Sequence, residues 1–227
     1  MSASKQPLSL RHRPGGRTSS PSYLLSFFPS DFLPYNAVMK IALIGSHGVG
    51  KTTLCFELAA RFKRRGLDVD IVREVARSCP LPINQETTRE AQEWILHSQM
   101  SLEIEASARH EIVLCDRSVL DNYCYLVHAT GAAPEWEKML DRWLPTYDTL
   151  VHVPIWSQPT FDGVRAVEPG FQRQIELLLE GMIAARGLKP LRLHAKAHDG
   201  WGREILEQTL PKIEPTPPLF SADDLDL

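Results

Sequence analysis

Apolar positions along this chain fall into two rhythms. Short, nearly unbroken apolar runs stand at residues 41–44, 69–72, 112–115, 149–153 and 191–193, the length and character of strands buried on both faces. Between them the spacing turns helical. Leu54, Leu58 and Phe62 recur at helical intervals within residues 53–65. Thr87 or Thr88 caps a long helix that passes Trp94, Ile95 and Leu102 and ends near Arg109. A further helix is predicted over 119–128, and after Gly131 another starts with Pro134 in its first turn and reaches Leu144. A loop punctuated by Pro and Gly over 154–170 leads into a strong helix at 171–186, with Ile175, Leu178, Leu179 and Met182 on one face. The last helix covers 203–210. Strands alternating with helices predict an α/β fold, a parallel sheet covered on both sides.

The two ends break this rhythm. Residues 1–38 carry Ser, Pro and Gly, four basic side chains, one acid (Asp31) and no sustained period, so they are expected to be a disordered leader. An Arg- and Ser-rich, acid-poor leader also fits an organellar transit peptide. Met39 and Lys40 stand directly before the first strand, however, and this favours Met39 as the natural start, with the leader an upstream-start artefact. Residues 211–227 hold four prolines and close on Asp223, Asp224 and Asp226, the composition of a disordered acidic tail. The predicted domain is therefore a single one, 39–210.

Composition adds exclusions. With 227 residues and 43% apolar content the chain can bury one sizeable core. A net charge of -3 gives no global basic field, so no nucleic acid partner is evident, and no apolar run is long enough to span a membrane. Cys55, Cys79, Cys115 and Cys124 show neither metal-ligand nor redox spacing, and read as reduced cytoplasmic thiols. The scattered histidines give no metal site built from protein side chains alone.

The chemistry starts at the first turn. Gly45-Ser46-His47-Gly48-Val49-Gly50-Lys51-Thr52 follows an apolar strand and opens an amphipathic helix, the context a phosphate-binding loop requires. Its glycines let the backbone wrap an anion so that amides point inward, and the helix from Thr53 brings its positive end to the same point. Lys51 supplies a charge for the outer phosphates, and Thr52 a hydroxyl for Mg2+. His47 is expected to be a solvent-facing filler whose amide alone serves the phosphate. No Asn-Lys-x-Asp motif follows a late strand, which points to ATP over GTP.

Asp116 ends an apolar strand and is read either as the second magnesium-holding group or as a helix cap. Its neighbour is Arg117, where hydrolytic motors place a second acid; an arginine suits an anionic acceptor or the phosphoryl group itself. Glu74, at the end of the second strand, is read either as the group that takes a proton from an acceptor hydroxyl or as half of a surface ion pair with Arg73 or Arg77. Arg165 sits in a stretch suited to a lid, with Arg173 a weaker candidate in the helix beyond. Trp201 is read either as a partner for the base or as a packing residue.

The words KIALIGSHGVGKTTL, DIVREVAR, ETTREAQEWILHSQ, VLCDRSVLDNY and GVRAVEPGFQRQIE together resemble the P-loop proteins grouped as AAA-family ATPases of the AAA_28 type. These are similar to nicotinamide riboside kinase domains and, more distantly, to thymidylate and deoxynucleoside kinases. The resemblance spans residues 39–210 and implies a P-loop NTPase fold, a three-layer α/β/α sandwich with strand order 2-3-1-4-5. It further implies that Glu74 is the acceptor-side acid, that Asp116, Arg117 and Ser118 organise magnesium and acceptor, and that Arg165 belongs to the lid. Thymidylate kinases have Pro-Gly after the second-strand acid where this chain has Val75-Ala76, so a nucleotide acceptor does not carry across. The group name ATPase does not establish hydrolysis. Two activities are expected from these features: phosphoryl transfer from ATP to a small nucleoside- or riboside-like acceptor, or a nucleotide-dependent switch or slow hydrolase acting on a protein partner.

Overall fold

The computed structural model describes residues 38–157 and 169–213. The leader, most of the lid segment with Arg165, and most of the acidic tail lie outside the described residues. Five strands alternate with helices: β1 (Met39–Ile44), α1 (Lys51–Lys63), β2 (Val69–Val72), α2 (Arg89–Ser107), β3 (Ile112–Asp116), α3 (Val119–Thr130), α4 (Pro134–Trp143), β4 (Thr149–His152), α5 (Pro169–Ala185), β5 (Leu191–Arg192) and α6 (Trp201–Thr209). All pairings are parallel and the sheet order is β2-β3-β1-β4-β5, as the resemblance implied.

The pleat sorts each strand's side chains between two cores. Ile41 and Leu43 of β1 join Leu54, Leu58 and Phe62 of α1 and Trp201, Ile205 and Leu206 of α6. Ala42 and Ile44 face the other way, toward Leu96 of α2, Leu120 and Tyr123 of α3 and Ile175 and Leu179 of α5. Helices therefore cover both faces, in three layers.

Helix limits follow local chemistry. The Thr88 hydroxyl accepts from Ala91 N at 3.3 Å and opens α2. Ser118 starts α3 through a capping box with Asp121, whose carboxylate accepts from Ser118 N at 2.6 Å. Pro134 occupies the first turn of α4. Strand β1 starts two residues earlier than its apolar run because Lys40 belongs to it. Lys40 is buried, and its ammonium reaches Glu103 of α2 at 3.1 Å and the Thr146 hydroxyl at 3.0 Å. Among the described residues, no helix is long and apolar enough to cross a membrane.

Candidate functional site

Parallel register brings the carboxyl ends of the strands to one edge. Asp116 lies beside Leu43, and His152 beside Ile44, just before β1 runs into the loop of residues 45–50. The loop could not turn there with a side chain at Gly45: φ is +145°, and a Cβ would stand 2.5 Å from Val153 O. Lys51, the first residue of α1, is buried and donates to Gly45 O (2.8 Å) and Ser46 O (2.6 Å), spanning the loop from within. The Thr52 hydroxyl donates to Asp116 Oδ2 at 2.5 Å. Ser118, not Asp116, caps the following helix.

The loop is also gripped from outside. Gln172 of α5 donates to His47 O (2.8 Å), and Glu176 accepts from Ser46 N (3.2 Å). The indole of Trp156 donates to Val49 O (3.0 Å) and meets the His198 ring edge-on at 4.5 Å.

Facing the loop, β2 and β3 deliver a buried ion pair. Arg117 Nε and Nη2 each lie 2.8 Å from Glu74 Oε1, and Glu74 Oε2 accepts from Arg77 at 2.9 Å. The expected pairing with Arg77 is therefore present, but Arg117 and Glu74 are only 4% and 8% exposed, so Glu74 is a buried carboxylate rather than half of an ordinary surface pair. Arg117 Nη1 lies 3.6 Å from Asp121 Oδ2, and the guanidinium lies 5.0 Å from the centre of the Tyr125 ring. Burial opposes the charge on Arg117, but Tyr125, Glu74 and the two aspartates raise its pKa well above the ordinary arginine value. A narrow cleft of about 40 Å³ opens here, lined by His47, Glu74, Gln92, Arg117, Asn122 and Tyr125 among others. A larger cleft of about 690 Å³ opens at the opposite edge, between the starts of β4 and β5, and no phosphate-loop residue lines it.

Burial pushes the Lys51 ammonium down to about 8, with repulsion from Arg117 adding to it, while Asp121, Asp116 and Glu74 pull the other way. The sign of the consequence is fixed. Between about 8 and the ordinary 10.5, the unfolded chain holds a proton that the folded chain has lost, so this group makes stability rise with pH in that window. A polyphosphate seated against Lys51 restores the charge. Nucleotide binding at about pH 9 is therefore expected to take up close to one proton at this group, and at about pH 7 close to none. Titration calorimetry in two buffers of different ionisation enthalpy reads the uptake, and equal heats in both at the higher pH would contradict it.

A family model described as an AAA domain matches residues 40–199, more than half of the chain. The chain belongs to this AAA-domain family. Among curated proteins, none matches it. Solved structures share its fold. A deoxyadenosine kinase from M. mycoides with dCMP and a flexible dCDP has a TM-score of 0.53 at 17% identity, covering 78% of this chain and 100% of its own. The same enzyme with dATP gives 0.54 at 16%, covering 76% and 99%. NadR with NAD and AMP-PNP gives 0.55 at 18%, covering 77% of this chain but 50% of NadR, so the chain spans half the length of that protein. At these identities the likeness establishes the P-loop NTPase fold.

Set in this AAA-domain fold, the sequence candidates divide. Residues 45–52, Asp116, Arg117 and Glu74 gather at one edge, with Thr53 exposed on the second position after Lys51. His47 corrects its expected place in solvent: it is buried, its Nδ1 lies 3.1 Å from the Tyr125 hydroxyl, and its ring packs on Phe171 at 5.2 Å, because α3 and α5 converge over the loop. Trp201 is a packing residue, buried and bonded to His194 O at 2.9 Å. Arg173 is exposed. Cys55, Cys115 and Cys124 are buried, and burial pushes their thiols up.

Several residues of the site carried no clear sign in the sequence. Tyr125, Asn122, Glu176 and Trp156 reach it through tertiary packing, whereas Asp121 stands three residues after Ser118, a capping-box spacing that marks it. His152, Glu176 and Glu180 offer ligand atoms within 4.8 Å of one another. Those atoms are engaged: His152 Nε2 lies 2.6 Å from Glu176, and Arg192 forks onto both Glu180 oxygens at 2.6 and 2.8 Å. Although burial works the other way, the bonds from His152 and Ser46 hold Glu176 below the usual carboxylate range.

Proposed function

We propose that this P-loop protein transfers the terminal phosphoryl group of ATP to the hydroxyl of a small nucleoside- or riboside-like acceptor. The observation that carries this reading is the buried Arg117–Glu74 pair, which places a planar cation and a carboxylate together beside Lys51 and Asp116. Hydrolytic motors usually place an acid where this chain has Arg117, which favours transfer over a motor.

The roles follow from position. Loop amides and Lys51 hold the phosphates, and Lys51 with Arg117 opposes the charge that spreads over the transferring group. The Glu74 carboxylate, buried beside Arg117, orients the acceptor hydroxyl and receives its proton. The Thr52 hydroxyl and the buried Asp116 carboxylate lie side by side as hard oxygen donors, a set that fits magnesium. When bound, that ion neutralises the outer phosphates. Trp156 and His198 flank the loop where the base of ATP would lie against an aromatic surface.

The cleft of about 40 Å³ is too narrow for a riboside as it stands, so entry requires the turns at Val75–Ser78 and Asn84–Glu86 to move apart. The test is incubation with γ-labelled ATP and a panel of nucleosides, ribosides, nucleotides and sugars. Label is expected in a nucleoside or riboside; turnover of ATP with no acceptor labelled would overturn the reading.

A further inference from the structure

Arg117 does not sit in ordinary strand or helix backbone. Its φ is +95°, in a region that side chains other than glycine occupy only when the surroundings impose it. Its N–H is held by Leu43 O at 3.2 Å, the last rung between β3 and β1. Its carbonyl accepts from the side chain of Gln99 at 3.2 Å. Between these two bonds the peptide turns sharply, and the guanidinium is sent back toward Glu74 rather than on along the strand.

Gln99 is fully buried in α2, and its amide has only one workable orientation. Nε2 faces two acceptors, Arg117 O and Glu103 Oε1 at 2.9 Å, so a flipped amide would set oxygen against oxygen twice. Its own Oε1 is buried with no hydrogen-bond partner among the described residues. A side chain kept in the core at that cost is held for what its donor does.

Glu103 anchors it. This fully buried carboxylate accepts at Oε1 from Gln99 and from the Tyr147 hydroxyl (2.7 Å), and at Oε2 from Lys40 Nζ (3.1 Å) and Trp143 Nε1 (2.8 Å). Tyr147 in turn accepts from Val119 N at 3.1 Å. One carboxylate thus fastens the turn around Arg117 at two points, through Gln99 to the carbonyl of Arg117 and through Tyr147 to the amide of Val119. The oxygens of Glu103 are held on four sides, which leaves Gln99 little freedom to move away.

We propose that Gln99 is a positioning residue: its donor, oriented by Glu103, holds the Arg117 peptide in its left-handed turn and so aims the guanidinium at Glu74 and the transferring phosphoryl group. The part concerning transfer rests on the phosphoryl-transfer reading above, whereas the aiming of Arg117 is a property of the folded chain alone.

The experiment compares Gln99→Met, which keeps the volume without the donor, and Gln99→Asn, which keeps an amide too short to reach. In the full chain without nucleotide, the Nε–H proton of Arg117 is observed by 15N NMR and assigned by its loss in Arg117→Lys. Wild type is expected to show a downfield, slowly exchanging signal, as a buried bond to Glu74 requires, and both variants are expected to lose or strongly shift it. Affinity for magnesium ATP, set by the loop, is expected to stay within about threefold, and turnover with ATP to fall about a hundredfold, the scale of a misplaced reacting group. An Arg117 signal unchanged in both variants would overturn the proposal. So would loss of the signal together with ATP binding and thermal stability in both variants, which is the signature of a packing residue. If no acceptor is ever labelled in wild type, the phosphoryl-transfer reading fails, while the NMR comparison still decides whether Gln99 aims Arg117.

Discussion

Arg117→Met is expected to lose at least about a thousandfold in phosphoryl transfer, the scale associated with a cation that stabilises the transferring group. It is also expected to lose about 3–5 kcal/mol of stability, because it strips a buried ion pair of one partner. Glu74 would lose its buried cation while keeping the partly exposed Arg77, and Asp121 would lose the guanidinium 3.6 Å away. Burial already raises the Asp121 carboxyl above the ordinary value, with Arg117 and Lys51 opposing that rise. Without Arg117 the rise is expected to be larger. Methionine matches much of the arginine's volume, so the losses report charge and hydrogen bonding rather than a void. Arg117→Lys separates the two effects. It restores a cation, and with it part of the stability, but a lysine cannot reproduce the fork onto Glu74, and transfer is expected to stay low. Thermal melting and a labelled-phosphate assay on both variants provide the check. A methionine variant with wild-type melting and transfer within about tenfold of wild type would show that Arg117 has neither role.

Lys51→Met should separate binding from folding. Affinity for magnesium ATP is expected to drop by at least about a hundredfold, because a charge-assisted contact to the outer phosphates disappears from a buried setting. The fold is expected to survive. The variant gives up two bonds to the loop carbonyls but also removes an ammonium whose burial is unfavourable enough to bring its pKa to about 8. Its stability should also lose the rise with pH between about 8 and 10.5 that this group gives the wild type. Calorimetric titration with ATP and melting across that pH range measure both effects. Retained affinity would mean that the loop does not hold the polyphosphate through this lysine.

The fold was largely legible in the sequence because strands buried on both faces leave unbroken apolar runs, and helix starts leave local marks such as Thr88, Ser118 and Pro134. The start of β1 was not, since apolar periodicity treats Lys40 as a break; only the tertiary partner Glu103 explains a lysine there. The phosphate loop was readable for the same local reason, its residues being consecutive. The Arg117–Glu74 pair was not, because the two residues are separated by 43 positions and meet only when β2 and β3 lie side by side. His47 shows the opposite failure. Nothing adjacent to it in sequence indicates that Tyr125 and Phe171, from two different helices, will close over it.

The two bonds from α5 to the phosphate loop have a mechanical consequence. Gln172 and Glu176 stand one helical turn apart and hold a carbonyl and an amide of consecutive loop residues, like two rivets through one plate. Sliding or rolling this helix would break both bonds unless residues 46 and 47 moved with it. A shift of the loop on taking up a polyphosphate is therefore expected to be passed to α5 and along it to its start at Pro169.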